Sequence, residues 1–196
     1  MIKKLATTIV LLGASVAPAF AHLDPAEHGS FAAGLSHPLF GVDHILAMVA
    51  VGLWSALLGG RALWLVPSAF VATMAVGFVA ALVGIPLPFV EPVILASVVV
   101  IGLLAAAALR VPASAGMAMV GFFALFHGHA HGGELGAAGS LAFGVGFVVA
   151  TALLHAAGVG IGLGFGRGFG GDAGRLITRV AGGVTALGGV WLALGA

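Results

Sequence analysis

Long apolar runs separated by short polar islands organise this chain. Six of them follow one another from residue 31 onward, at about 31–59, 62–84, 90–109, 113–131, 136–164 and 175–195. Each reaches the ~18 residues that a helix needs to cross hydrocarbon. The pattern predicts an all-α polytopic membrane protein of six transmembrane helices. Ahead of them, Lys3 and Lys4 precede an apolar run over 5–16 and the small-x-small sequence Ala19-Phe20-Ala21. This is the layout of a secretory signal peptide, expected to be cleaved after Ala21. Residues 22–196 would then form a single six-helix membrane domain. The alternative is an uncleaved first span, for which 5–21 is short.

The polar islands carry an orientation. Arg61, Arg110 and the trio Arg167, Arg175 and Arg179 fall in the connections after the first, third and fifth spans. An excess of arginine marks cytoplasmic loops. The remaining connections, with Glu91 and Glu134, then face outward together with both mature termini, and an exported N-terminus agrees with that count. The expected location is a bacterial inner membrane with a periplasmic outer face.

Composition narrows the chemistry. Hydrophobic residues make up 61% of the chain and charged residues 7%, which excludes a soluble domain. There is no cysteine, so disulfides and thiolate metal sites are excluded, and a metal could be held only by nitrogen, oxygen or thioether. A net charge of +1 offers no basic face to nucleic acid. The glycine-rich segment 164–171 lacks the Gly-Lys-Ser/Thr ending and preceding strand of a phosphate loop, so the chain has no ATP site of its own. Small residues four apart, such as Gly160 with Gly164 and Gly162 with Gly166, predict close helix packing.

Against this apolar background, two short segments hold five of the eight histidines and two carboxylates. One contains His37, Asp43 and His44, and the other His127, His129, His131 and Glu134. Ionisable groups at membrane depth are costly, so their default reading is functional. Imidazole with carboxylate is a ligand set for borderline transition metals. On a straight helix His37 and His44 would stand about 10 Å apart, too far to share an ion. Pro38 and Gly41 allow an interruption that leaves His37 at the helix entry and Asp43 and His44 at the start of the regular part.

In the second segment His127 and His131 lie at i and i+4, with Glu134 at i+7, on one face of a helix. Two such imidazoles can chelate one ion. Gly128, Gly132 and Gly133 also allow an unwound end lining a polar cavity. His129 would point elsewhere on a regular helix. Met48, one turn below His44, offers either a thioether or ordinary packing. His155 stands alone as either a packing residue or a relay or ligand. Cleavage would make His22 the N-terminus, where its amine and imidazole, with Asp24, Glu27 and His28 nearby, could capture metal; a solvated linker is the other reading.

These residues resemble the HupE/UreJ family of membrane permeases, whose members accompany nickel hydrogenases and ureases. The family pattern of histidine, five residues and Asp-His is met by His37, Asp43 and His44. The pattern Phe-His-Gly-x-Ala-His-Gly-x-Glu is met by Phe126, His127, Gly128, Ala130, His131, Gly132 and Glu134. His129 occupies a variable position. The resemblance implies a nickel permease, not an enzyme, that needs those histidines and acids and holds no resident cofactor. Nickel would be cargo, delivered toward nickel-enzyme maturation proteins. Cobalt is linked to related proteins and is the alternative ion. Two other classes compete: an intramembrane metal-dependent hydrolase, for which no His-Glu-x-x-His helix is present, and a membrane-bound metal donor.

Overall fold

A computed structural model describes residues 30–135 and 139–195, and among them every regular element is an α-helix. The expected signal peptide over 1–21, and His22 and His28, lie outside the described residues. The helices are α1 (Phe31–Phe40), α2 (Val42–Leu58), α3 (Ala62–Leu82), α4 (Val90–Ala107), α5 (Ala113–Leu135), α6 (Ser140–Phe169) and α7 (Gly171–Ala193).

The first expected span is two helices rather than one. Ser30 starts α1 by accepting the Ala33 N–H at 3.0 Å. Pro38 then removes a backbone donor near the end of α1, and Gly41 adopts an extended conformation before α2 begins. The two axes meet at 84°. The expected interruption is therefore present, with a correction: His37 lies in the last turn of α1, not at a helix entry. Asp43 occupies the first turn of α2, where the helix dipole favours a carboxylate.

Length and apolarity qualify α3, α4, α6 and α7 to cross a membrane, with the bent α1–α2 pair as a fifth candidate. The sequence pattern predicted six, and the difference is α5. That helix has 23 residues, but the polar tail carrying His127, His129 and His131 lowers its apolarity. Large apolar side chains cover the outside of the bundle. Leu141 is 79% exposed and Leu187 72%, the inverse of a water-soluble surface.

Helix α2 runs through the middle, touching α1, α3, α4, α6 and α7, and the broadest helix–helix contact joins α3 to α5. Trp54, Phe70, Met74, Ile101 and Phe147 fill the interior around it. Glycines let the backbones approach. A Cβ at Gly128 would strike the Met74 carbonyl, one at Gly77 the Leu125 carbonyl, and one at Gly158 the Val49 carbonyl. The expected pairs fare differently: Gly162 meets Ala56, but Gly160, Gly164 and Gly166 face open space. Spacing marks small residues on one helix face without saying which face has a neighbour.

The two ends of the bundle differ in charge. At one end the Trp54 indole donates to the Leu109 carbonyl at 3.0 Å, and the Arg179 Nε–H donates to the Ala106 carbonyl at 2.8 Å, tying down the end of α4. Arg110, Arg167 and Arg175 line a cavity of about 280 Å³ beside them. At the other end, the beginning of α2 presents Asp43, and the His129 Nε2–H donates to the Ile85 carbonyl at 2.8 Å in the α3–α4 connection.

Candidate metal centre

The bend at Gly41 brings together side chains that a straight helix would hold apart. The His37 and His44 ring centres lie 6.5 Å from each other. From α5, His131 enters between them, 4.6 Å from His37 and 4.7 Å from His44, while His127 stands 5.2 Å from His44. Four imidazoles from the two sequence motifs therefore surround one region near the acidic end of the bundle. His44 is 7% exposed, His131 5% and His127 0%, whereas His37 is half-buried.

Hydrogen bonds assign the tautomers. Asp43 Oδ1 lies 2.9 Å from His44 Nδ1, and a carboxylate accepts, so that nitrogen carries the proton. The His44 Nε2 lone pair then faces inward, where the His131 Nε2–H donates to it at 2.6 Å. Carboxylate-to-imidazole support of this kind orients a ring and strengthens it as a metal ligand. Two nitrogens bound at right angles on metal–nitrogen bonds of about 2.0–2.1 Å would stand about 2.9 Å apart. If His131 shifts to its Nδ1–H tautomer, its Nε2 lone pair is freed, and a small parting of His44 and His131 would let both nitrogens reach one ion.

A second assignment follows one turn back along α5. The Ser97 hydroxyl donates to the Ile94 carbonyl at 2.6 Å, so its oxygen must accept from His127 Nε2–H at 2.9 Å. The buried His127 Nδ1 then holds a lone pair with no hydrogen-bond partner among the described residues. His127 and His131, which their i, i+4 spacing places on one face of α5, have different hydrogen-bond partners, and both rings lie beside His44. Among the described residues, no group of three or more His, Asp or Glu side chains forms a ready metal cage.

The remaining candidates separate. The end of α5 stays helical through Leu135, so the glycines there do not unwind it; Gly128 and Gly132 serve close approach to α3. His129 is tied to Ile85 outside the cluster. Met48 is wholly buried in the apolar core, the packing alternative of its two readings. His155 is 1% exposed and stands beyond Phe70 from the cluster, with ring centres 4.9 Å apart. Glu134 belongs to α5, but its side chain lies outside the described residues.

Sequence reasoning missed Ser97, Phe70 and Phe147. Ser97 had a signal, a lone hydroxyl in the apolar run 93–104. Phe147 had none, yet its buried ring packs 4.6 Å from His131.

Comparison with known proteins completes the description of these residues. The family model described as HupE / UreJ protein matches residues 9–192. Protein HupE of Rhizobium leguminosarum bv. viciae is 46% identical over 194 residues, covering 98% of each chain. No solved structure matches.

Proposed function

Because the chain belongs to the HupE/UreJ family, a family of membrane transporters, we propose that it carries nickel inward across the bacterial inner membrane. In this reading a signal peptide over 1–21 is removed and six spans remain, the bent α1–α2 pair forming the first and α5 the fourth. Both mature termini lie in the periplasm, the arginine-rich end faces the cytoplasm, and the ion supplies hydrogenase or urease maturation. His37, Asp43, His44, His127, His131 and Glu134 handle the ion.

The observation that carries the proposal is the 2.6 Å contact of His44 and His131, which joins the two motifs at one point with Asp43 orienting His44. A sparse, incomplete ligand set suits a permease, which must release what it binds. Imidazole nitrogen accepts copper, zinc and cobalt as well as nickel, so selection rests on geometry and on the metals at hand.

The test is uptake of radioactive nickel at nanomolar concentration into cells lacking their own nickel importers, with excess cobalt, zinc or copper as competitors. Uptake suppressed mainly by nickel or cobalt supports the reading, and dominance of cobalt would change the cargo. Metal binding to expressed protein without accumulation would make it a donor instead.

Two further results are expected in the same assay. Asp43→Asn removes the charge that holds the His44 tautomer, and uptake falls about 10–100-fold, the usual cost of losing such support. An unchanged rate would show that His44 is oriented by its packing alone. Protons compete with metal for imidazole nitrogen, so uptake declines as the medium is acidified from about pH 7 to 5. A steady rise over that range would contradict simple ligand competition.

A further inference from the structure

His155 sits near the middle of the 30-residue helix α6, and neither of its ring nitrogens has a hydrogen-bond partner among the described residues. A neutral imidazole always presents one donor and one acceptor. Leaving a buried polar group unsatisfied costs on the order of 1–3 kcal/mol, and such a group calls for a functional account. Its nearest ring neighbour is Phe70, in an edge contact at 4.9 Å, and the same phenyl ring also lies 5.6 Å from His127. The backbone at His155 is fixed, because a Cβ at Gly52 of α2 would strike its carbonyl oxygen. The imidazole is therefore held beside Phe70 by close packing of α2 and α6.

On its remaining side His155 forms part of the wall of a cavity of about 580 Å³ between α3 and α6. The α3 side of this cavity begins at Leu63 and Trp64, just after Arg61, so it extends from mid-bundle toward the arginine-rich end. Pro67 also lines it, and having no N–H it cannot close the helical bond to the Leu63 carbonyl. Ser68 and His155 are the polar side chains among the residues lining this cavity, the His155 ring nitrogens lying just beneath its surface, and the rest of the wall is apolar. A second cavity between the same two helices, of about 300 Å³ and nearer the acidic end, is lined by apolar residues apart from Ser140. It has no comparable set.

We infer that His155 is a second, inner station for the divalent transition-metal ion, opening through the Leu63–Ser68 cavity to the cytoplasmic face, with Phe70 closing the way between it and His127. The direction of travel and the identity of the inner face rest on the transport reading; the extension of the cavity beside His155 toward the arginine-rich end does not. An ion moving from the His44–His131 pair past His127 would meet one imidazole at a time, with oxygen or water completing its shell, which allows release.

The chain has no cysteine, so a single introduced thiol is unambiguous. Ser68→Cys in the otherwise unaltered chain is exposed to a charged, membrane-impermeant thiol reagent in inside-out and right-side-out vesicles. Ala75→Cys, lining the apolar cavity, is the control. Labelling of Ser68→Cys from the inner face, slowed by added nickel, and no labelling of Ala75→Cys are expected. In parallel, His155→Ala and the shape-preserving His155→Gln are expected to lower nickel uptake by about tenfold or more, while purified protein keeps its nickel affinity at the His44–His131 pair.

Labelling only by an apolar reagent would make the cavity a lipid groove and overturn the inference. So would wild-type uptake in both His155 variants. Were the unaltered chain to accumulate no nickel, the cargo reading would fail, and the labelling alone would decide whether His155 faces the inner aqueous side.

Discussion

His44→Ala is expected to reduce nickel uptake at nanomolar metal by at least about tenfold, and His131→Ala to do the same. The larger consequence is in their combination. Their Nε2 atoms stand 2.6 Å apart, so an ion bound by one must be within reach of the other. Removing either leaves a site that the second cannot hold alone, and the double variant should be little worse than each single one. Independent sites would instead multiply their losses, because distant substitutions add in free energy. A double variant showing the product of the two single losses would therefore refute a shared site. Protein amount in the membrane must be equal across the set, since both rings also pack on Phe147.

Gly128→Ala is expected to abolish most uptake without touching a ligand. Its Cβ would collide with the Met74 carbonyl and press on the Phe78 nitrogen at 2.8 Å, both backbone atoms of α3 that cannot swing aside. The helices must part, at a cost of about 1–3 kcal/mol for an overpacked contact. His127 and His131 flank this glycine on α5 and move with the helix, so their approach to His44 is lost. Gly133→Ala in the same segment meets nothing within 4 Å and serves as the comparison. The measurements are unfolding temperature in detergent and nickel uptake. Gly128→Ala should lower both, Gly133→Ala neither, and a fully active, equally stable Gly128→Ala would rule out the close α3–α5 contact.

The same glycine shows how partial the sequence is as a guide. Gly128 and Gly132 read equally as packing residues or as a place to unwind, and only the neighbouring backbone of α3 decides between these. The bend at Gly41 was legible, because Pro38 and Gly41 act locally through a missing donor and a permissive backbone. Its effect was not, since bringing His37 near His131 depends on where α5 lies. The i, i+4 spacing of His127 and His131 put them on one face correctly, but their hydrogen bonds run to Ser97 on α4 and His44 on α2.

By itself the sequence determined the helical class, the membrane-like apolarity, the exclusion of thiolate ligands and the side chains able to meet a metal. Those follow from composition and from periodicity along one chain segment, which local chemistry sets. Tertiary structure alone decided that His44 is the meeting point of the two motifs, that Asp43 sets its tautomer from one side while His131 faces it from the other, and that His155 borders a different cavity. Helical periodicity specifies a face, whereas function here depends on which faces meet, and that is settled by close backbone contacts between helices far apart in the chain.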